Sequence, residues 1–302
     1  MKYLVTGGAG FIGSNLVDQL IEEGHEVVVI DSLITGKKEN INPKAQFYCF
    51  DLSGDNWPAL ITSALRGVDV IFHLAALARV QPSIDRPHVF HKTNVNGTLN
   101  LLIAAHDAGV KRVVYSASSS AYGETDVLPT DESQPTAPLS PYGLQKLIGE
   151  QYCTVFSKVY GLETVSLRYF NVYGERMSAD GGYPLARAKF FKQMEAGAPL
   201  TIWGDGEQRR DFTYVKDVAR ANILAASSDK VGAGEVINIG NGDNRSVNEI
   251  AALIGGETTN LEAVLEPRNT LADNSKAKEL LGWEPTMSVD EWIPKHKKEL
   301  GL

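Results

Sequence analysis

A doubly wound α/β fold on a parallel sheet, with a smaller α/β lobe, is predicted by three observations. Short apolar runs rich in β-branched residues alternate with longer amphipathic stretches, a glycine-rich turn joins the first run to the first stretch, and the alternation breaks down after residue 167. The apolar runs fall at 3–6, 26–31, 46–50, 68–74, 111–116 and 163–167. Between them, 11–23, 88–108 and 141–160 read as helices long enough to cross over a sheet and cover one of its faces. Beyond 167 come Gly, Pro and Asp clusters around 181–184 and 204–210, a strand-like 236–239 and a helical C-terminus.

A chain of 302 residues, 43% hydrophobic and 22% charged, buries a large core and reaches the size at which one domain becomes two lobes. The net charge of −8 is spread along the chain, which favours solubility and argues against a nucleic-acid or anionic-membrane surface. Cys49 and Cys153 lie far apart with no CxxC spacing, so neither a disulfide framework nor a zinc knuckle is expected. His88 and His91 share a helical face without a third ligand, and no metal site is expected. The opening MKYLVTGG is too short for a signal peptide and no later stretch approaches a membrane span, so a cytoplasmic location is expected.

The turn after the first run is Thr6-Gly7-Gly8-Ala9-Gly10-Phe11-Ile12-Gly13. Its glycines allow a tight turn, let a pyrophosphate approach bare backbone, and let helix and strand pack closely, while the helix N-terminus supplies N–H donors. The second run ends in Asp31, placed to take the adenosine ribose hydroxyls and to repel a 2′-phosphate, so a Rossmann-like domain binding NAD rather than NADP is expected. Lys37 and Lys38 nearby are the features that point toward NADP. Asp51 and Leu52 after the third run, and Leu74, Ala75 and Ala76 after the fourth, fall at the carboxyl edge of the sheet, where open α/β folds bind ligands. His73 reads as a packed, hydrogen-bonded strand-end histidine rather than a base.

Ser140-Pro141 starts a helix that carries Tyr142 and Lys146 on one face, one turn apart. A tyrosine with a pKa of about 10 is a poor base near neutrality, but an adjacent ammonium and a cationic nicotinamide ring stabilise its phenolate. The fifth run closes on Ser116-Ala117-Ser118-Ser119-Ser120, which offers hydroxyls at the sheet edge to orient or relay a proton.

The glycine turn, Asp31, His73-Leu74-Ala75-Ala76, the serine cluster, Tyr142 with Lys146, Arg168-Tyr169-Phe170-Asn171 and Arg210-Asp211-Phe212 together resemble the extended short-chain dehydrogenase/reductases, in the UDP-glucose 4-epimerase branch, over nearly the whole chain. The resemblance implies a cofactor set of Gly7, Gly10, Phe11, Ile12, Gly13, Asp31, Asp51, Leu52, Leu74 to Ala76, Asn94, Tyr142 and Lys146, with Lys146 on the nicotinamide ribose and Asn94 supporting cofactor and active-site helix. It implies that Ser118 works with Tyr142: the phenolate removes the C4 hydroxyl proton of a UDP-hexose, hydride passes to NAD, the 4-keto sugar turns over, and hydride returns to its other face. The expected division is an NAD-binding domain at 1–168 with a returning segment at about 212–240, and a substrate-binding lobe at 169–211 and 241–302. A homodimer pairing helices near 90–108 and 141–159 is also implied.

For the substrate, the resemblance puts Ser118 and Ser119 beside the sugar, Asn171 and Arg210 on the diphosphate, Thr201 among the substrate-binding residues, and Trp203 near the uracil, with Phe190 either there or packed in the core. Arginine suits a diphosphate because its fork donates two bonds to phosphate oxygens. Leu185 and Ala186 are expected to offer backbone bonds to the base. Arg268 falls near a second diphosphate position, in a stretch shortened relative to the family pattern. Thr270 falls where the family controls room beside C2, and its small side chain implies that N-acetylhexosamines are admitted.

Three alternatives stand beside this reading. Arg79 could meet a uronate, which favours a UDP-glucuronate 4-epimerase. A dehydratase or decarboxylase would carry an acidic residue just after Ser118, where this chain has Ser119-Ser120-Ala121. A non-catalytic NAD-binding scaffold would not need Ser118, Tyr142 and Lys146 together.

Overall fold

The computed structural model describes residues 1–177, 186–264 and 266–302, with the backbone alone for 186–188. The first half runs β1 (Lys2–Thr6), α1 (Phe11–Glu22), β2 (Glu26–Asp31), β3 (Gln46–Cys49), α2 (Trp57–Ala64), β4 (Val70–His73), α3 (Val80–Asp85), α4 (Pro87–His91), α5 (Gly97–Asp107), β5 (Arg112–Ser118), α6 (Pro141–Tyr160) and β6 (Glu163–Tyr169). The second half runs β7 (Val172–Tyr173), α7 (Ala186–Glu195), β8 (Leu200–Trp203), β9 (Arg209–Asp211), β10 (Thr213–Tyr214), α8 (Val215–Ser227), β11 (Ala233–Ile239), β12 (Asn244–Ser246), α9 (Val247–Ile254), β13 (Thr258–Leu261), α10 (Ser275–Leu281) and α11 (Val289–Leu300).

Seven parallel strands form the central sheet in the order β11-β6-β5-β4-β1-β2-β3. The chain leaves β1 in one direction toward β2 and β3 and later resumes on the other side at β4, so the order reverses between β1 and β4. That reversal opens a crevice at the carboxyl edge. Residues of α2, α5 and α6 pack in the core on one face of the sheet. On the other face α1 and α8 pack in a core that continues into the smaller lobe around Phe190, Trp283 and Trp292. The predicted doubly wound sheet is therefore the observed one.

After an excursion through β7 to β10, the chain re-enters the sheet by α8 and β11. Buried Arg112 at the start of β5 holds this return: its guanidinium donates to the carbonyls of Ala225, Ala226, Ser228 and Val231, capping the end of α8. Asp217, buried in the first turn of α8, pairs with Arg220 and accepts from the Thr286 N–H and hydroxyl, which fastens the C-terminal segment.

The stretch expected as one helix over 88–108 is interrupted. Between α4 and α5, residues 92–96 take a wider, π-type turn with Asn94 buried inside it. The side chain of Asn94 is committed to the loop after β4 and to α6, and the widened turn accommodates that commitment. Helix α6 follows its sequence signals: the Ser140 hydroxyl accepts the Gly143 N–H, Pro141 fills the first position, and Gly161 ends the helix at a φ of 71°.

Candidate active site

The glycine turn is shaped by contacts that a side chain would block. Gly7 sits at a φ of 72°, and a Cβ there would lie 2.8 Å from the Ala75 nitrogen; a Cβ on Gly13 would lie 2.2 Å from the Gly7 carbonyl oxygen. Gly10 precedes α1, whose N-terminus has no side-chain cap and no acidic residue in its first turn. Its free N–H groups are therefore left for an anion at the crevice. Phe11, Ile12, Leu74, Ala75 and Ala76 are half-buried around it.

Asp31 ends β2 with its carboxylate accepting from the Ala9 N–H at 3.0 Å and the Leu33 N–H at 2.8 Å. One acid thus orders both the glycine turn and its own loop while keeping acceptor lone pairs for a ribose. Asp51 accepts from the Ser53 N–H and hydroxyl, and the buried Leu52 offers its carbonyl to Asn100.

His73 is fixed between two threonines, with Nδ1 2.7 Å from the Thr6 hydroxyl and Nε2 2.9 Å from that of Thr98. The Thr98 hydroxyl donates to the Asn94 carbonyl and Thr6 Oγ1 accepts the Ala75 N–H. This network assigns the proton to Nε2, with Thr6 donating to Nδ1. Burial, and then the Lys146 charge, push the His73 pKa down to about 3, so the ring is a neutral fastener between β1, β4 and α5.

At the end of β5, Ser118 accepts hydrogen bonds from the Ser120 N–H at 3.2 Å and the Ser120 hydroxyl at 2.8 Å. Tyr142, half-buried at the start of α6, has its phenol raised above its ordinary value by burial, while a hydrogen bond with Ser118 pulls it back down. Lys146 is buried, donates to the Ser116 carbonyl at 2.5 Å and lies 4.8 Å from the centre of the Tyr115 ring. Burial brings its pKa down to about 7. Within the chain itself the hydrogen bond with Ser118 is what lowers the Tyr142 phenol.

Asn94 donates to the Leu77 carbonyl and to Gln145 on α6, and accepts the Leu77 N–H. It thereby joins the loop after β4 to the helix carrying Tyr142.

On the substrate-lobe side, Asn171 donates its amide to the Asp211 carbonyl at 3.0 Å and to the Thr270 hydroxyl at 3.2 Å, and that hydroxyl also accepts the Asp211 N–H. Buried Asp211, pushed up to about 6 by desolvation, holds the N–H groups of Asn241, Gly242 and Ala272. The structure thus brings Asn171 and Thr270 together on the backbone of Asp211. Buried Arg210 lies beside them in sequence, with Nη2 2.8 Å from Glu266 and Nη1 donating to the carbonyls of Arg209 and Arg268.

Other expectations change. Phe190 is fully buried in the lobe's core, which is the packing reading of this residue rather than the uracil contact. Arg268 is exposed and forms a two-pronged pair with Asp205 at 2.8 and 2.9 Å, which directs its guanidinium to the surface turn in place of the predicted diphosphate position. Thr201 bonds to Gln193, and Lys189 lies 5.5 Å from the ring centre of half-buried Trp203. Ser119 is half-buried beside Ser118, and Arg79 is half-buried on its loop. Leu185 lies outside the described residues, and Ala186 is described only as the backbone that starts α7. Among the described residues, no group of three or more His, Cys, Asp or Glu side chains could hold a metal ion, and no helix is long and apolar enough to cross a membrane.

Sequence reasoning gave no role to Thr6, Ser83, Thr98 and Gln145, all of which contact the candidate residues just described. Ser120, named only as part of the serine cluster, is the hydroxyl that reaches Ser118.

Residues 3–240 match the model of the NAD dependent epimerase/dehydratase family. A putative UDP-glucose 4-epimerase of Methanocaldococcus jannaschii is 41% identical over 298 residues, covering 96% of this chain and 95% of that protein. The crystal structure of a UDP-glucose 4-epimerase with UDP-glucose from Thermotoga maritima superposes with a TM-score of 0.93 at 41% identity, covering 99% of this chain and 100% of that one. A UDP-glucuronic acid 4-epimerase from Bacillus cereus, in complex with UDP-glucuronic acid and NAD, gives 0.90 at 36% identity, covering 99% and 100%. With the glycine turn, Asp31, Ser118, Tyr142 and Lys146 on one sheet edge, the chain belongs to the NAD dependent epimerase/dehydratase family.

Proposed function

We propose that this chain is an NAD-dependent 4-epimerase of UDP-hexoses. The observation that carries the reading is the convergence of Ser118, Tyr142 and Lys146 on the carboxyl edge that also bears the glycine turn. Gly7, Gly10, Phe11, Ile12 and Gly13 would hold the pyrophosphate of NAD, Asp31 the adenosine ribose, Asp51 and Leu52 the adenine side, and Leu74 to Ala76, Asn94, Tyr142 and Lys146 the nicotinamide half. Bound NAD supplies a reversible acceptor for a hydride from carbon 4 of the sugar. Tyr142 takes the C4 hydroxyl proton, Ser118 orients that oxygen, and Tyr142 returns the proton to it once the 4-keto sugar has presented its other face. Asn171 and Arg210 would anchor the diphosphate and Thr270 would face C2 of the sugar, with Thr201, Trp203 and the backbone near Leu185 and Ala186 toward the uridine. We assign NAD to 1–168 with the return at 212–240, and the substrate to 169–211 and 241–302.

Incubation with a panel of UDP-sugars, without added NAD, and identification of products by NMR tests the reading. Interconversion of UDP-galactose and UDP-glucose is expected, together with turnover of UDP-N-acetylgalactosamine, because Thr270 leaves room beside C2. Undetectable turnover of the acetylated sugar would remove that second expectation, and inertness toward every UDP-sugar with NAD bound would leave the scaffold alternative. Half-buried Arg79 supports UDP-glucuronate as a second reading. Conversion of the uronate alone would establish it.

We also infer a cytoplasmic homodimer. Ile103 on α5 and Leu144, Val155, Val159 and Tyr160 on α6 are exposed apolar side chains of neighbouring helices, which a second copy would cover. Light scattering is expected to give twice the chain mass, falling toward one chain when Val155 and Val159 are both replaced by Asp; a wild type that scatters as one chain refutes the dimer.

A further inference from the structure

The first turn of α6 has an unusual donor account. Pro141 has no N–H, the Gly143 N–H reaches the Ser140 hydroxyl at 3.1 Å, and the Leu144 N–H reaches the Ser140 carbonyl at 3.0 Å. The remaining donor, the backbone N–H of Tyr142, is taken by another element: it donates to the hydroxyl of Ser83 on α3, at 3.1 Å. Ser83 is fully buried, and its own proton goes to the Val80 carbonyl at 2.5 Å, so the hydroxyl oxygen is aimed at Tyr142 with its donor already spent.

The segment that carries Ser83 is itself fixed to α6 at both ends. Leu77 is held by Asn94, which donates to Gln145, and Gln145 in turn donates to the Pro87 carbonyl at 3.3 Å. Between these ties lie Ala78 and Arg79, on the more open part of the loop. The N–H bonded to Ser83 belongs to the peptide unit that carries the Tyr142 Cα, so a shift of α3 turns the phenol relative to Ser118.

We propose that Ser83 is a positioning residue for Tyr142, an external cap on the helix that bears the base and a rigid link between that base and the loop after β4. The proposal rests on the epimerase reading. Removing the hydroxyl leaves the Tyr142 N–H without its partner, and the first turn of α6 relaxes to find one. Ser83 is buried with its hydroxyl already shared between the Val80 carbonyl and the Tyr142 N–H, so the loss is expected on kcat rather than on substrate binding.

The test compares NAD-loaded wild type with Ser83→Ala, using UDP-galactose as substrate. Turnover by the wild type checks the epimerase reading, and the difference between the two enzymes checks this proposal. The variant is expected to lose kcat by about 10-fold with KM nearly unchanged, as small misplacements of a reacting group do. The acidic limb of its kcat–pH profile is expected to move to higher pH. Ser118 lowers the Tyr142 phenol, so losing that alignment raises it and the base form appears later as pH rises. A smaller folded fraction scales the profile without moving it, so a fall in kcat with an unmoved limb overturns the proposal, as does an unchanged kcat. If the variant does not fold, amide hydrogen exchange of the wild type decides: slow exchange at Tyr142 is expected, and exchange as fast as in an exposed first turn overturns it.

Discussion

Replacing Tyr142 by phenylalanine is expected to lower kcat by about 10²–10⁴-fold, the range for loss of a positioned general base, while NAD content and UDP affinity stay at wild-type levels. Phenylalanine keeps the ring that packs at the head of α6 and removes only the hydroxyl. Ser118 remains bonded to Ser120, so the sheet edge keeps its local order. Lys146 keeps its tie to the Ser116 carbonyl. The variant therefore isolates proton transfer from cofactor retention. Wild-type activity is expected to rise with pH on its acidic side, because the base form is required and burial holds the phenol above its ordinary value. Product formation from UDP-galactose, followed by NMR with NAD released and counted by absorbance, gives both quantities. A variant that keeps more than a tenth of wild-type kcat would take the base role away from Tyr142.

The fold and the edge that carries the candidate site are legible in the sequence because their signals are local. Strand, glycine turn, helix and Asp31 lie within one short span, and Tyr142 and Lys146 are one turn apart on one helix. The parts that sequence reasoning missed are contacts between distant segments: His73 with Thr6 and Thr98, Asn94 with Gln145, Tyr142 with Ser83. Thr, Ser and Gln are common enough that nothing marks them until the chain has folded. The interrupted helix at 92–96 has the same origin, since a helical sequence period cannot show a widened turn fixed by a tertiary hydrogen bond. For Lys146 the motif supplies the cation, and only its burial in the fold shows that its pKa comes down to about 7. In the smaller lobe, Arg268 has the chemistry for a diphosphate, but the competing carboxylate of Asp205 lies outside what residue spacing encodes.

Substituting Glu150 by methionine is expected to destabilise the protein by about 3–5 kcal/mol, the cost typical of breaking one side of a buried ion pair. Glu150 lies one turn beyond Lys146 on α6, and both its oxygens bind the guanidinium of Arg168 near the end of β6, at 2.9 and 2.6 Å. Both side chains are almost wholly buried. The same guanidinium lies 4.5 Å from the ring centre of Tyr122, whose hydroxyl donates to Asn238 on β11. Removing the carboxylate leaves a buried cation facing an aromatic ring alone, in a protein whose whole stability is of the order of 5–15 kcal/mol. Replacing both partners, Glu150→Met with Arg168→Met, removes the stranded charge and is expected to recover most of the loss. Urea midpoints of the wild type, both single variants and the double variant measure this, and a Glu150→Met cost below about 1 kcal/mol, within the range of an exposed pair, would show that water reaches the site. The double variant then separates two functions of the pair. If it is stable but slow, the charges aim α6 as well as hold it, because an apolar pair packs the helix against β6 without the two-pronged geometry that fixes its rotation, and with it the direction of Tyr142.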